Sequence, residues 1–308
     1  MLEVRKQLQK AIHWLEYAVV RNVVGALTAL PWRAGRRVAR VMGTIYHLVD
    51  RRRRRRNALE NLRDAYPEAG EEELRRLLKE VYRHLAATVL DGFYFARFIG
   101  KWPEHRLFQT HGFEKLNGTP NGTGVVFVTG HLGQWEILGA AASLLGYPVW
   151  SVGRPFDNEY LEQWLQRLRG ITGQQMLPKH GFLRYMIRLV ERGENVALLI
   201  DQDARRHGRF VEFFGRPAST TTAAARIAIR TGAPVAFVYG RRIDEQNRFN
   251  IVLDDVVWPQ EGRDRDAEVH RITQRLTTDL ERVVRSHPEE WLWLHRRWKT
   301  YPGKYEDS

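Results

Sequence analysis

The chain has 308 residues, 43% hydrophobic and 11% aromatic with ten tryptophans, enough apolar bulk for one large domain or two small ones and too much for a disordered or simple charged tail. It has no cysteine, which excludes disulfide frameworks, thiolate zinc sites, iron–sulfur clusters and thiol nucleophiles. The formal net charge is +13 and 41 of the 49 cations are arginine; guanidinium groups favour bidentate contacts to phosphate, so nucleic acid, phospholipid head groups and phosphorylated small substrates are the partner classes to weigh.

Met1 to Lys10 leads into a weakly apolar stretch without a small-residue cleavage pattern, so no secretory signal is expected and the chain is expected on the cytoplasmic side. From Ala11 to Leu30 the sequence reads AIHWLEYAVVRNVVGALTAL, closed by Pro31. Its length is marginal for a bilayer crossing. Arg21 near the middle argues against free spanning, which leaves an interfacial helix, a spanning helix or an ordinary core helix. Arg33, Arg36, Arg37 and Arg40 follow, then an apolar run from Val41 to Val49, then six arginines from Arg51 to Arg56. Such a cluster is drawn to anionic head groups at roughly 1 kcal/mol per residue. No RNP-like aromatic pattern, Cys/His finger or heptad accompanies it, so an anionic membrane surface is the expected partner and nucleic acid is not. Glu71 to Phe98 is expected as a helix, with Leu74, Leu77, Leu78, Val81, Leu85 and Val89 at three- and four-residue spacing as a packing stripe.

Val125 to Thr129 is a short continuous apolar run, the pattern of a strand covered on both faces. Beyond it the sequence predicts helices at Ile137–Leu145, Tyr160–Leu168, Phe182–Glu191, Thr220–Arg230 and Asp266–Arg285, and strands at Val149–Val152, Val196–Ile200, Val235–Tyr239 and Phe249–Leu253. The alternation predicts an α/β fold, a mostly parallel central sheet flanked by helices, with ligands at the carboxyl ends of the strands. A helical, basic, membrane-associating segment over 1–66 and an α/β domain over 67–308 are expected, the boundary lying near Tyr66-Pro67 or Lys101-Trp102-Pro103.

Directly after the first of these strands stands Gly130-His131-Leu132-Gly133-Gln134-Trp135-Glu136. Five positions on a regular helix turn through about 500°, so His131 and Glu136 share no helical face and can meet only if His131 lies in the turn, which the flanking glycines ease. A carboxylate on one ring nitrogen would leave the other as a general base; the bland alternative is a histidine capping a helix. No serine lies in Gly-x-Ser-x-Gly, and dinucleotide, P-loop and His-Glu-x-x-His motifs are absent. Direct attack by a substrate hydroxyl deprotonated by His131 is the economical mechanism.

His131-x4-Glu136 resembles the His-x4-Asp/Glu signature of the glycerolipid acyltransferase superfamily. Val152-Gly153-Arg154-Pro155 with Asn158, Asp201-Gln202-Asp203, Phe213-Phe214-Gly215-Arg216-Pro217-Ala218 with Thr220, and the run from His287 to Lys299 narrow the resemblance to the bacterial lipid A biosynthesis acyltransferases, over roughly residues 20 to 302. The resemblance implies transfer of a fatty acyl chain from acyl carrier protein to a hydroxyl of a lipid A precursor at the cytoplasmic face of the bacterial inner membrane, with no metal or organic cofactor. It implies His131 as base and Glu136 as its partner. Arg154 would hold a phosphate, while Asp201, Gln202 and Asp203 would line the cleft or fix its loops. Phe214, Gly215 and Arg216 would offer apolar bulk beside a cation for an acyl chain near a phosphate, or core packing. Thr220 is read either with that motif or as the N-cap of the next helix, and Trp291, Trp293 and Trp298 as membrane contacts or core. The basic loop from Ala204 to Arg209 departs from the family pattern and leaves the acceptor open to another glycolipid, such as a phosphatidylinositol mannoside, or to a lysophospholipid. A membrane or nucleic-acid binding protein is the non-enzyme alternative.

Overall fold

Four helices precede the first strand. A computed structural model describes residues 2–50, 52–99, 101, 106–120, 122–177, 181–243 and 248–304. Helix α1 (Leu2–Ala29) stops short of Pro31, which has no N–H to donate and disfavours helical geometry in the residue before it. Pro31 then caps α2 (Trp32–Val49), followed by α3 (Arg52–Ala65) and α4 (Glu71–Phe98), whose bounds are those expected from its apolar spacing. Glu71, Glu72 and Glu73 occupy the first turn of α4, where carboxylates suit the helix dipole. Helix α2 lies against α4 through buried Gly35, Ala39 and Gly43. A Cβ on Gly43 would fall 2.5 Å from the Tyr82 carbonyl oxygen, so glycine is what lets the two backbones approach.

A seven-stranded sheet follows, built from β1 (Phe108–His111), β2 (Val126–Thr129), β3 (Val149–Val152), β4 (Gln175–Leu177), β5 (Asn195–Leu199), β8 (Val235–Arg242) and β9 (Phe249–Val257), in the order β1-β9-β8-β2-β5-β3-β4. Only the β8–β9 pair is antiparallel, so the sheet is mostly parallel with flanking helices, as expected. Helices α5 (Trp135–Leu144), α6 (Glu159–Gly170) and α7 (Phe182–Glu191) connect β2 through β5. A separate antiparallel hairpin, β6 (Arg209–Phe213) with β7 (Arg216–Thr220), leads to α8 (Ala223–Thr231), and α9 (Arg265–Ser286) follows β9. Alternate residues of β2 enter two cores: Val126 and Val128 pack with α7, α8 and α9, whereas Phe127 packs with α5 and the end of α4. A strand buried on both faces has no polar side to show, which explains its continuous apolar run.

Three expectations change. Thr220 closes β7 and is not the cap of the next helix, which begins at Ala223 after Thr222. Strands β1, β4, β6 and β7 carry no clear sequence signal. The two-residue turn between β6 and β7 is Phe214-Gly215, with φ of 55° and 68°; Asn or Asp is usual at the first position, and a phenylalanine there conceals the hairpin. Finally, Ala58, Leu59, Leu62 and Ala65 of α3 belong to the same core as α7, α8 and α9, so the boundary expected near residue 66 falls inside continuous packing. Among the described residues no helix is long and apolar enough to cross a membrane.

Candidate active site

Strands β2 and β5 are parallel neighbours with Thr129 opposite Leu199, and Ile200 N–H donates to Thr129 O at 3.0 Å. Two residues beyond that pair a functional side chain follows each strand at the carboxyl end of the sheet: His131 after β2, Asp201 after β5. His131 Nδ1 lies 2.8 Å from Asp201 Oδ1, and the His131 backbone N–H donates to Asp201 Oδ2 at 2.7 Å. Trp291 Nε1 donates to that same oxygen at 2.9 Å. Asp201 is fully buried, whereas the His131 ring keeps 19% of its surface exposed, and among the described residues Nε2 has no hydrogen-bond partner.

Burial alone would raise the Asp201 pKa, but the His131 charge and the hydrogen bonds from the ring and backbone hold it well below the usual carboxylate range. Burial would likewise depress His131, yet the Asp201 charge and hydrogen bond raise it above its ordinary value. His295 sits beside the pair with Nε2 2.7 Å from the Asp201 carbonyl oxygen; burial lowers its pKa, so it favours the neutral form. The Asp201 contact fixes the proton of neutral His131 on Nδ1 and leaves Nε2 as a base facing the opening.

The turn itself is gripped from several sides. Leu292 N–H donates to His131 O, Gly133 N–H to Glu290 O, and Gln134 N–H to Gly240 O, at 3.0, 3.0 and 2.8 Å. Gly133 has φ of 58°, and a Cβ there would lie 2.1 Å from Gly240 O, so only glycine passes. From α4, His84 and Thr88 reach the Gly133 carbonyl, and the buried Gln134 amide donates to Thr88 and Asp91. Asp91 in turn pairs with Arg242, whose guanidinium stacks on Trp32 and Phe249.

Glu136 is not the carboxylate on His131. It lies on the first turn of α5, and both its oxygens accept from Arg169 of α6, at 3.2 and 3.0 Å. The reason is the helical geometry: α5 begins at Trp135, which turns Glu136 away from the residue that precedes the helix. Arg154 has a 74% exposed side chain with Asp157 as its partner. Gln202 is exposed and its carbonyl accepts from Arg297; Asp203 accepts from Thr300 at 3.0 Å, fixing the loop after β5. Phe214 is buried against Tyr66 and Trp293, Gly215 forms the hairpin turn, and Arg216 pairs with Asp64 at 2.6 Å while lying over Trp298. Phe214 and Arg216 thus brace the C-terminal tryptophan segment through Trp293 and Trp298. Trp291 and Trp293 are fully buried, which decides core packing for both. Arg297, buried and pulled down to about 10 by desolvation, donates to the carbonyl of Ser219 and the hydroxyl of Thr220. Among the described residues His287, Glu289 and Glu290 group their possible ligand atoms within 4.8 Å, but Arg241 already holds Glu290 at 3.1 and 3.2 Å.

Beside Trp135, whose ring is 5.6 Å from that of His131, an apolar cavity of about 320 Å³ opens between α1, α4, α5 and α6. Val20, Phe93, Ile137, Leu161 and Trp164 line it, and the Glu136–Arg169 pair stands in its wall. That volume lies at the lower end of ordinary ligand pockets. Sequence reasoning did not single out this cavity, because its walls come from four helices far apart in the chain.

The family model described as bacterial lipid A biosynthesis acyltransferase matches residues 1–300. The lipid A biosynthesis lauroyltransferase of Escherichia coli (strain K12) is 28% identical over 298 residues, 94% of this chain and 93% of that one. The lipid A biosynthesis palmitoleoyltransferase of the same strain is 25% identical over 259 residues, 82% of this chain and 80% of that one. A phosphatidylinositol mannoside acyltransferase of Mycobacterium tuberculosis (strain CDC 1551 / Oshkosh) is 28% identical over 185 residues, 58% of this chain and 55% of that one.

Proposed function

The chain belongs to the bacterial lipid A biosynthesis acyltransferase family, and from that premise we propose that it transfers a fatty acyl chain from acyl carrier protein to a hydroxyl of a lipid A precursor. The observation that carries the reading is the His131–Asp201 pair at the mouth between β2 and β5. Neutral His131 takes the acceptor hydroxyl proton on Nε2 as the oxygen attacks the thioester carbonyl. The tetrahedral adduct collapses, the C–S bond breaks, and the imidazolium returns the proton to the departing thiolate. Asp201 holds the tautomer and stabilises the imidazolium. The acyl chain occupies the cavity between α4, α5 and α6, with Glu136 and Arg169 as its polar gate. No metal or organic cofactor enters this reading.

Association with the cytoplasmic face of the inner membrane is part of the proposal. Leu8, Ile12, Leu15 and Val19 stand exposed along α1, and Val41, Ile45, Leu48 and Val49 along α2. Two helices with uncovered apolar rows suit a position in the plane of the interface. The +13 balance favours docking of an acidic carrier protein as well; raising the salt concentration should weaken donor binding, and a salt-independent donor affinity contradicts that docking.

The test is mass spectrometry of products from detergent-purified protein given mixed acyl-carrier-protein donors and a panel of lipid A precursor, phosphatidylinositol mannosides and lysophospholipids, with His131→Ala alongside. One acylated acceptor, absent in the variant, supports the reading and identifies chain length. Likeness to the mycobacterial relative favours a second reading, acylation of a phosphatidylinositol mannoside, which the same panel separates from the first.

A further inference from the structure

Helix α2 presents three faces. Gly35, Ala39 and Gly43 form the buried one. On a wheel of 100° per residue, Val38, Val41, Met42, Ile45, Leu48 and Val49 fall on a second, and these side chains are exposed. Arg33, Arg36, Arg37 and Arg40 occupy the third, at i, i+3, i+4 and i+7, and with Trp32 they bound a cavity of about 330 Å³. Like charges at that spacing repel one another. Arg40 is met by Glu80 at 2.9 Å, but Arg33 and Arg37 have no carboxylate partner among the described residues. Trp32 lines the same cavity, and its indole Nε1 is buried without an acceptor.

We propose that this cavity is a phosphate site for an anionic membrane lipid whose hydrocarbon lies along the exposed apolar face of α2. A phosphate offers the several oxygens that the guanidinium forks of Arg33 and Arg37 can grip. Charge complementarity alone would suit a free phosphate equally. The apolar row beside the arginines selects the lipid, because only a ligand with a hydrocarbon tail covers both faces together. A chain of contacts links the site to the turn that carries His131: Glu80, which holds Arg40, lies one turn of α4 before His84, whose ring reaches the carbonyl of Gly133, two residues after His131. The inference rests on the interfacial placement of α1 and α2 but not on which acceptor is acylated.

The experiment is co-sedimentation of the full chain with vesicles of phosphatidylcholine alone and of phosphatidylcholine with phosphatidic acid. Arg33→Gln/Arg37→Gln keeps good helix formers at exposed positions and should weaken binding to the anionic vesicles by about thirtyfold, the effect of two arginines at an anionic surface, while leaving phosphatidylcholine binding unchanged. Arg184→Gln/Arg188→Gln, the same charge loss on α7, should weaken it less than about threefold, the diffuse contribution of charges away from the membrane. Val41→Ser/Ile45→Ser should weaken binding to both vesicle types. Equal losses for the two arginine pairs would mean diffuse attraction and overturn the site. So would displacement by inorganic phosphate as effective as by phosphatidic acid, which would assign the cavity to a free anion. Because the readout is binding, His131→Ala should behave as wild type, and absence of acyl transfer leaves the result intact.

Discussion

Every residue from Gly130 to Gln134 is contacted by another element, whereas along α1 and α2 apolar side chains as large as those of the core stand uncovered. The turn is bounded by β5 through Asp201, by the C-terminal segment through Glu290 and Leu292, by β8 through Gly240, and by α4 through His84 and Thr88. In α1, by contrast, packing is confined to a few points, such as Tyr17 against Tyr160 and Trp164, and Asn158 donating to His13 O. The difference is one of solvent. A reacting base gains from donors and acceptors set before substrate arrives, so its surroundings are closed and dense in hydrogen bonds. In the proposed reading the open apolar face is kept for hydrocarbon, and its exposure in water is a cost that the packing of α1 on α4 and α6 and of α2 on α4 offsets.

The largest test of that contrast is His131→Ala, expected to lower transfer by about 10² to 10⁴, the usual worth of a positioned general base, with an unchanged circular dichroism spectrum. Retained transfer would remove His131 from the mechanism.

Asp201→Asn should follow closely and also move the pH profile. The charge of Asp201 raises the His131 pKa, and only neutral His131 accepts a proton, so the rate climbs as pH rises through that raised value. Loss of the carboxylate charge should shift this limb to lower pH. Glu136→Gln should shift it less, since Arg169 and not His131 holds Glu136; the opposite ranking would restore Glu136 as the partner. Stability carries a second signature. The depressed Asp201 pKa adds stability above 3.8 that is lost as pH falls, and the raised His131 pKa adds stability below 6.5 that is lost as pH rises. The cost of Asp201→Asn in chemical denaturation should therefore be greatest between those two values.

Trp293→Ala probes the closed region without touching the pair. Its side chain is fully buried against Trp291 and Phe214, and truncation of such an aromatic costs about 3–5 kcal/mol, measurable as a lower denaturation midpoint. Leu15→Ser/Val19→Ser on α1 is the matching probe of the open region. Exposed substitutions of this kind change stability by within about 0.5 kcal/mol each, so the melting temperature in solution should hold while partition to vesicles falls. A large loss of stability in solution would show that α1 belongs to the core.

Much of the fold could be read locally. Helices α4 and α7 occupy the residues expected for them, and β3 the four residues expected as a strand. The β6–β7 hairpin escaped because a phenylalanine in left-handed geometry stands where a turn residue is usual; the Tyr66, Trp293 and Arg285 contacts that stabilise it come from elsewhere in the chain. His131 was legible as a histidine between glycines at the end of a buried strand. Its partner was not: Glu136 is near in sequence, while Asp201 is near in space.

By itself the amino-acid sequence determined that an α/β layer forms, that a histidine stands at the end of its central strand, and that the first helices are basic and partly apolar, since each follows from spacing over a few residues. Only the tertiary structure decided that Asp201 meets His131, that Phe214 and Arg216 brace the tryptophan segment, and that α2 turns one face to α4 and leaves two open. Strand order joins residues 70 positions apart, and no local periodicity encodes which strands become neighbours.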